Sequence, residues 1–336
     1  MLYVTTRDKR DAYTAHRAIF EHYGPDGGRY IPFSLPEFTK DEIAELKNKS
    51  FSRTVADILN IFFSARLTSW DVDFCIGRNM LRFLQMNHRI VVAELWHNLD
   101  EQFEFIVGSL ASKICDDNEK RMISDWMRIA IEIAVLFGIY GEMLRSGLIA
   151  DDALFDISVE HEGFSAPMAA WYARRLGLPV GTIICAGVED SAVWDFLHKG
   201  TFNPAGTKKT LQEGLERLIT AVFGPEESIN FKTSCQNRTA YTVHEEQLPL
   251  LNNGFFVTVA GEKRAVATVN SVYRTNGYVI DPASALCFGG IQDYRTKTGE
   301  SKLTLLLSKE TPMHYASDIL DVTGLTKEAL QKLINS

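Results

Sequence analysis

Apolar positions along this chain follow a helical period in its first part and gather into short β-branched runs later on. Residues 10–23 and 40–65 carry helical spacing, separated by the Gly24-Pro-Asp-Gly-Gly28 turn and the Pro32/Pro36 pair, which halt regular structure. Thr39 or Lys40 ahead of Asp41 and Glu42 predicts a helix start, because first-turn carboxylates complement a helix N-terminus. A helical N-terminal subdomain to about residue 88 is therefore expected. Residues 89–93 then read as a strand, followed by a helix from about residue 100 and a long helix over 124–145.

Residues 154–159 and 181–186 are short β-branched strands on either side of a helix over 167–176. That order predicts a βαβ unit, hence a parallel sheet with a right-handed crossover. Asn252-Asn-Gly254 is a turn signal before a strand over 255–260, and residues 302–308 predict another. Apolar strands of this kind are buried by helices on both faces. The fold class expected is α/β, a mainly parallel sheet flanked by helices, carrying the helical N-terminal subdomain (1–88) on an α/β body (89–336).

Composition narrows the function more than the fold. With 46% hydrophobic and 23% charged residues the chain is an ordinary globular one, and its net charge of −8 argues against nucleic acid or an anionic membrane as a partner. The longest apolar stretch, residues 129–140, is interrupted by Glu132 and is too short to span a bilayer. Cys75, Cys115, Cys185, Cys235 and Cys287 are widely spaced and odd in number, the pattern of inert thiols in a reducing compartment, and no signal-peptide core follows Arg7, Lys9 and Arg10. A cytoplasmic location is the expectation, with no metal site.

Several segments, in order, resemble the threonine synthase family. Tyr3-Val-Thr-Thr-Arg7, Gly24-Pro-Asp-Gly-Gly-Arg-Tyr-Ile-Pro32, Asp125-Trp-Met-Arg-Ile129 and Trp171-Tyr-Ala-Arg-Arg-Leu-Gly-Leu-Pro179 are each similar to family motifs. Ile280-Asp-Pro-Ala-Ser-Ala285 and Leu307-Ser-Lys-Glu-Thr-Pro312 extend the likeness toward the C-terminus. The resemblance implies the tryptophan-synthase-beta-like fold and, in the family, pyridoxal phosphate held as a Schiff base on lysine.

The segment that should carry that lysine does not. Glu94-Leu-Trp-His-Asn-Leu-Asp-Glu-Gln-Phe-Glu-Phe105 resembles the family's Glu-Leu-Phe-His-Gly-Pro-Thr-Leu-Ala-Phe-Lys-Asp, and Glu104 stands in the lysine's place. A carboxylate cannot condense with an aldehyde. No register shift repairs this, since no lysine occurs between Lys49 and Lys113. The family's phosphate-binding Thr-Gly-Asn-Phe-Gly turn aligns with His161-Glu-Gly-Phe-Ser165, placing Glu162 where a dianion would sit. Near residues 115–124 the family's small substrate-contacting domain is replaced by a short polar connector. Gly163, Phe164 and Ser284 fall on cofactor-contacting positions and are expected to be relics, with no cofactor expected.

Two clusters could carry other chemistry. His97, Asp100, Glu101 and Glu104 share one helical face at i, i+3, i+4 and i+7, which could form a metal or acid–base set, but such spacing is commoner on solvated helices. Glu160, His161 and Glu162 sit at a predicted strand end, where α/β folds bind ligands. Gly163-Phe-Ser-Ala-Pro167 lacks the last glycine of a nucleophile elbow. Trp96 and Trp126 read as core residues.

Together these features predict a catalytically degenerate relative of threonine synthase acting as a binding, regulatory or assembly protein. A protein partner or self-association is expected at the face uncovered by loss of the small domain. The alternative is an enzyme or small-ligand receptor using the vestigial cleft (His97, Glu104, Glu160, His161, Glu162) for chemistry without the cofactor, or a divergent lyase.

Overall fold

Three short strands open the chain, and their pairing explains why the helical spacing of residues 10–23 is only partly realised. In the computed structural model, β1 (Leu2–Thr5) pairs antiparallel with β2 (Tyr13–Thr14) and with β3 (Tyr30–Pro32), so Tyr13 lies opposite Tyr3 and only Ala15–Phe20 becomes helix. Tertiary pairing overrides local propensity here. The N-terminal subdomain is thus helices plus a small antiparallel sheet, which periodicity alone did not reveal. The structure describes residues 1–77, 81–96, 103–115, 124–188 and 191–334, and of Phe103, Glu104 and Glu262 the backbone only.

The pattern over 40–65 resolves into the helix Lys40–Ala44, a 3₁₀ turn Glu45–Asn48 and the helix Phe51–Phe63. Lys49 is extended, and the Ser50 side chain accepts from Arg53 N–H to start the last helix afresh. Thr39 and Glu42 form the capping box that the acids at 41 and 42 foreshadow.

Six strands make the main sheet: β4 (Arg82–Asn87), β5 (Ile90–Glu94), β6 (Phe155–Glu160), β7 (Val180–Val188), β10 (Phe255–Ala260) and β11 (Thr304–Ser308), in the order β10-β7-β6-β11-β5-β4. The intervening β8 (Thr201–Phe202) and β9 (Tyr241–Thr242) pair only with each other. All neighbours in the main sheet are parallel except β4 against β5. β4, which lies before the boundary expected at residue 88, is therefore an edge strand of the main sheet. The βαβ unit is present as β6, the helix Ser165–Arg175 and β7, whose strands pair directly.

The helix Asp125–Arg145 starts where expected, with the Ser124 side chain accepting from Met127 N–H. Its rise of about 1.5 Å per residue gives a rod of roughly 31 Å, buried nearly all round, with the N-terminal helices and the helix Ser165–Arg175 packed on it. Gly138 and Gly141 let the N-terminal segment approach closely: a Cβ at Gly138 would stand 2.7 Å from the Phe51 ring, and one at Gly141 would stand 3.0 Å from the Leu46 carbonyl. Trp126 anchors the rod's first turn, with ring centroids 5.9 Å from Tyr3, 5.6 Å from Phe62 and 5.4 Å from Tyr172. Trp126 and Trp96 are core residues, 1% and 3% exposed. The connector around 116–123, where the small domain is expected to be missing, lies outside the described residues. Among those described, no helix is long and apolar enough to cross a membrane.

Candidate functional site

Parallel strands end together, and their last residues meet at one rim: Glu160 closes β6, Val188 closes β7 and Ser308 closes β11. Three connected hollows open there. An outer one of about 880 Å³ lies between the rim and the helix Ala192–Lys199, and an inner one of about 510 Å³ lies over β6 and β11. A side hollow of about 260 Å³ flanks the turn after β6. Glu162 borders all three, and Glu160 and Val188 border the larger two.

The turn from β6 into the helix Ser165–Arg175 is tight. Gly163 (φ 68°) and Phe164 (φ 60°) are both left-handed, which turns the chain into the helix while burying the Phe164 ring 5.9 Å from that of Phe255. Glu162 points outward and is ion-paired with Lys208. The helix that begins here carries Pro167 in its first turn, which removes one of the N–H groups a helix N-terminus ordinarily offers. In the side hollow Arg217 is buried and lies 3.7 Å from Asp125.

His161 is a wall of the outer hollow rather than a free base. Its ring packs so closely on β7 that a Cβ at Gly187 would overlap it, and its Nε2 lies 3.1 Å from Ser191 Oγ. Burial lowers its pKa to about 4, so the imidazole is neutral at physiological pH. Glu160 behaves oppositely: burial raises its pKa, Asp281, Glu162 and Glu132 raise it further, and Lys309 alone pulls it down.

Beside Glu160 and Glu162, the inner hollow draws polar lining from the long helix, from the start of the helix Pro282–Thr298 and from the stretch after β11. Glu132 on the long helix is buried and receives Lys309 Nζ at 3.1 Å on Oε1, while its Oε2 has no partner. Asp281 caps the helix Pro282–Thr298, accepting from Ser284 N–H at 3.0 Å and from Ser308 Oγ at 3.1 Å. Burial raises the Asp281 pKa, and the hydrogen bonds from Ser284 oppose this. Glu310 accepts from Tyr315 OH at 2.6 Å. Glu132, Lys309 and Asp281 were not among the residues expected at the site. Glu132 left a signal as the single charge inside the apolar run 129–140, and Asp281 and Lys309 lie in the family-like segments 280–285 and 307–312.

A family model, "Threonine synthase N terminus", matches residues 2–79. Human threonine synthase-like 1 is 22% identical over 175 residues, covering 48% of this chain and 23% of that protein. The chain thus spans about a quarter of the length of such relatives. Among solved structures, PLP-bound threonine synthase from Brucella melitensis superposes with a TM-score of 0.84 at 18% identity, covering 99% of this chain and 94% of that one. Threonine synthase from yeast gives 0.80 at 13% identity, covering 99% and 93%. The fold is that of the threonine synthases.

On the threonine synthase fold, the residues read from the sequence fall into three groups. Glu160, His161 and Glu162 line one hollow. The relic positions Gly163 and Phe164 form the turn, and Ser284 is a capping partner of Asp281 that also borders the inner hollow. His97 lies outside the described residues, as do Asp100 and Glu101. Glu104 lies in the helix Phe103–Cys115, with its side chain outside the description. Among the described residues no group of three or more His, Cys, Asp or Glu is placed to hold a metal ion.

Proposed function

We propose that this protein is a binding protein built on the threonine synthase scaffold and does not use pyridoxal phosphate. The observation that carries this reading is the Glu162–Lys208 ion pair, standing at the turn where the family cradles the cofactor's phosphate. Lys208 neutralises the carboxylate, so plain repulsion is softened from what the sequence implies. What remains unfavourable is that a phosphate would have to displace that pair, at a helix start short of one N–H donor. The inner hollow behind it is lined by Glu132, Glu160, Asp281 and Glu310 against Lys309 and Arg128. These residues do not fit the cofactor.

Absorbance spectra of the purified protein with pyridoxal phosphate, followed by borohydride reduction and intact-mass measurement, test this. No long-wavelength band and no added mass are expected. A stoichiometric adduct on one lysine overturns the reading.

A second reading, a protein contact on the scaffold's outer face, is favoured by Trp70 and Phe74. Their rings stack 5.5 Å apart on the helix Ser69–Ile76 while remaining 59% and 74% exposed. That helix packs against Phe103–Cys115, the helix leading to the shortened segment. The expected partner or self-association would use this patch.

A further inference from the structure

A serine and a histidine from two different strand ends meet on the wall of the outer hollow. Ser191 Oγ lies 3.1 Å from His161 Nε2, His161 following β6 and Ser191 preceding the helix Ala192–Lys199 that succeeds β7. Both side chains line the hollow. The imidazole reaches this position only because Gly187 has no side chain, since a Cβ there would overlap Nε2.

The direction of the hydrogen bond follows from the other ring nitrogen. The imidazole also bonds to its own backbone, a contact that favours the protonated ring and so runs from a ring N–H to a carbonyl. Only Nδ1 can reach the residue's own backbone, so Nδ1 carries the proton and Nε2 offers its lone pair. Ser191 Oγ–H therefore donates to Nε2, the arrangement of a nucleophile on its base. Negative charge on Oγ has support as well. The Trp194 N–H points at it from 3.4 Å. Ala192 and Val193 open the helix with N–H groups that have no acceptor within it, and such donors suit an oxyanion.

We infer that Ser191 is a nucleophile, with His161 as its general base, that takes the acyl group of a small carboxylic ester held in the outer hollow. Ala186, Val188, Leu211 and Leu286 supply apolar lining for the acyl chain in a space of about 880 Å³. The lysines on its edge are engaged, Lys199 with Asp195 and Lys208 with Glu162, so a neutral ester is favoured over a free carboxylate. The Ser191 proton passes to Nε2 as Oγ adds to the ester carbonyl. The bond to the alkoxy oxygen then breaks, the proton leaves on the alcohol, and the acyl group stays on Oγ until water releases it as the acid by the same route. Burial keeps Nε2 unprotonated but makes the ring a weak base, so acylation and turnover are slow. The pair needs no cofactor, and the inference stands or falls independently of the pyridoxal phosphate reading.

Treating the full chain with an ethyl fluorophosphonate probe, which marks activated serines with loss of fluoride, and separately with p-nitrophenyl butyrate tests this by peptide mass mapping. One phosphonyl group and one butyryl group are expected, each on Ser191. Ser191→Asp keeps a side-chain cap for the helix, so it should melt as the wild type does yet take no label. His161→Asn should slow labelling at least about tenfold. An unlabelled Ser191 in the wild type, or an unchanged labelling rate in His161→Asn, overturns the inference and leaves the serine a helix cap beside a core histidine. A reduced cofactor adduct would add its mass to a lysine, so failure of the cofactor reading is told apart from failure of this one.

Discussion

Arg82 closes on Glu94 with two nitrogens, Nε 2.6 Å from Oε2 and Nη2 3.1 Å from Oε1, and Tyr278 OH adds a third bond at 2.8 Å. Glu94 is fully buried and opens the segment in which the threonine synthase family carries its lysine. The carboxylate is therefore fixed by Arg82 of the antiparallel edge strand. Arg82→Met should cost about 3–5 kcal/mol in denaturant unfolding, because it takes the bidentate guanidinium from a buried carboxylate. A loss below about 1 kcal/mol would mean the pair is not holding the edge.

The neutral imidazole of His161 gives a signed pH dependence. Its pKa falls from 6.5 to about 4 on folding, so the unfolded chain binds the proton more readily between those values. Stability contributed by the neutral ring is present above pH 6.5 and is lost as pH falls toward 4, by roughly 3 kcal/mol in all. Unfolding free energies of wild type and His161→Asn, compared across pH 7.5 to 4, should converge at the acid end. Parallel curves would contradict the burial-driven shift.

Glu160 should titrate with the opposite sign. Burial raises its folded pKa, so ionising it above that value works against folding. Glu160→Gln should melt higher than wild type at pH 8, and the advantage should vanish as the pH drops below the ordinary glutamate range. A lower melting point for Glu160→Gln at pH 8 would show that the ionised carboxylate is satisfied by a partner.

Gly187 and His161 form a packing pair that a double-mutant cycle can isolate. Gly187→Ala alone should destabilise by about 1–3 kcal/mol, because its Cβ overlaps the ring. In a His161→Ala background the same change should cost almost nothing. Additive effects would place the strain elsewhere.

Trp70 and Phe74 are exposed enough that replacing both with serine should change stability by no more than about 0.5 kcal/mol each. If the patch is an association surface, sedimentation velocity should show the wild type forming a larger species that the double variant lacks. A monomeric wild type would remove self-association and leave a different partner as the remaining form of that reading.

The sheet was legible because its strands are buried on both faces and therefore read as β-branched runs: β6, β7, β10 and β11 lie within two residues of their expected bounds. β2 was not, since two residues, Tyr13 and Thr14, are strand only because Tyr3 and Leu2 lie opposite. At the site, Glu160, His161 and Glu162 could be named because a strand end is a local signal. Glu132, Asp281 and Lys309 come from three distant segments, and only the packing of the long helix against β11 brings Glu132 to Lys309. Lys208, too, comes to Glu162 from 46 residues away, through the chain that returns to the turn.

The close approach at Gly138 and Gly141 also bears on how the chain could be divided. Residues 2–79 match a family model of their own, which invites treating them as a module. Yet the helix Phe51–Phe63 lays Phe51 and Val55 against the central helix where Gly138 leaves it bare, and the turn Glu45–Asn48 lays Leu46 against Gly141. Cut apart near residue 79, one piece would present an unmatched apolar ridge and the other an empty furrow. The helices on either side of residue 79 share one packed core, and a label that ends there cuts across it.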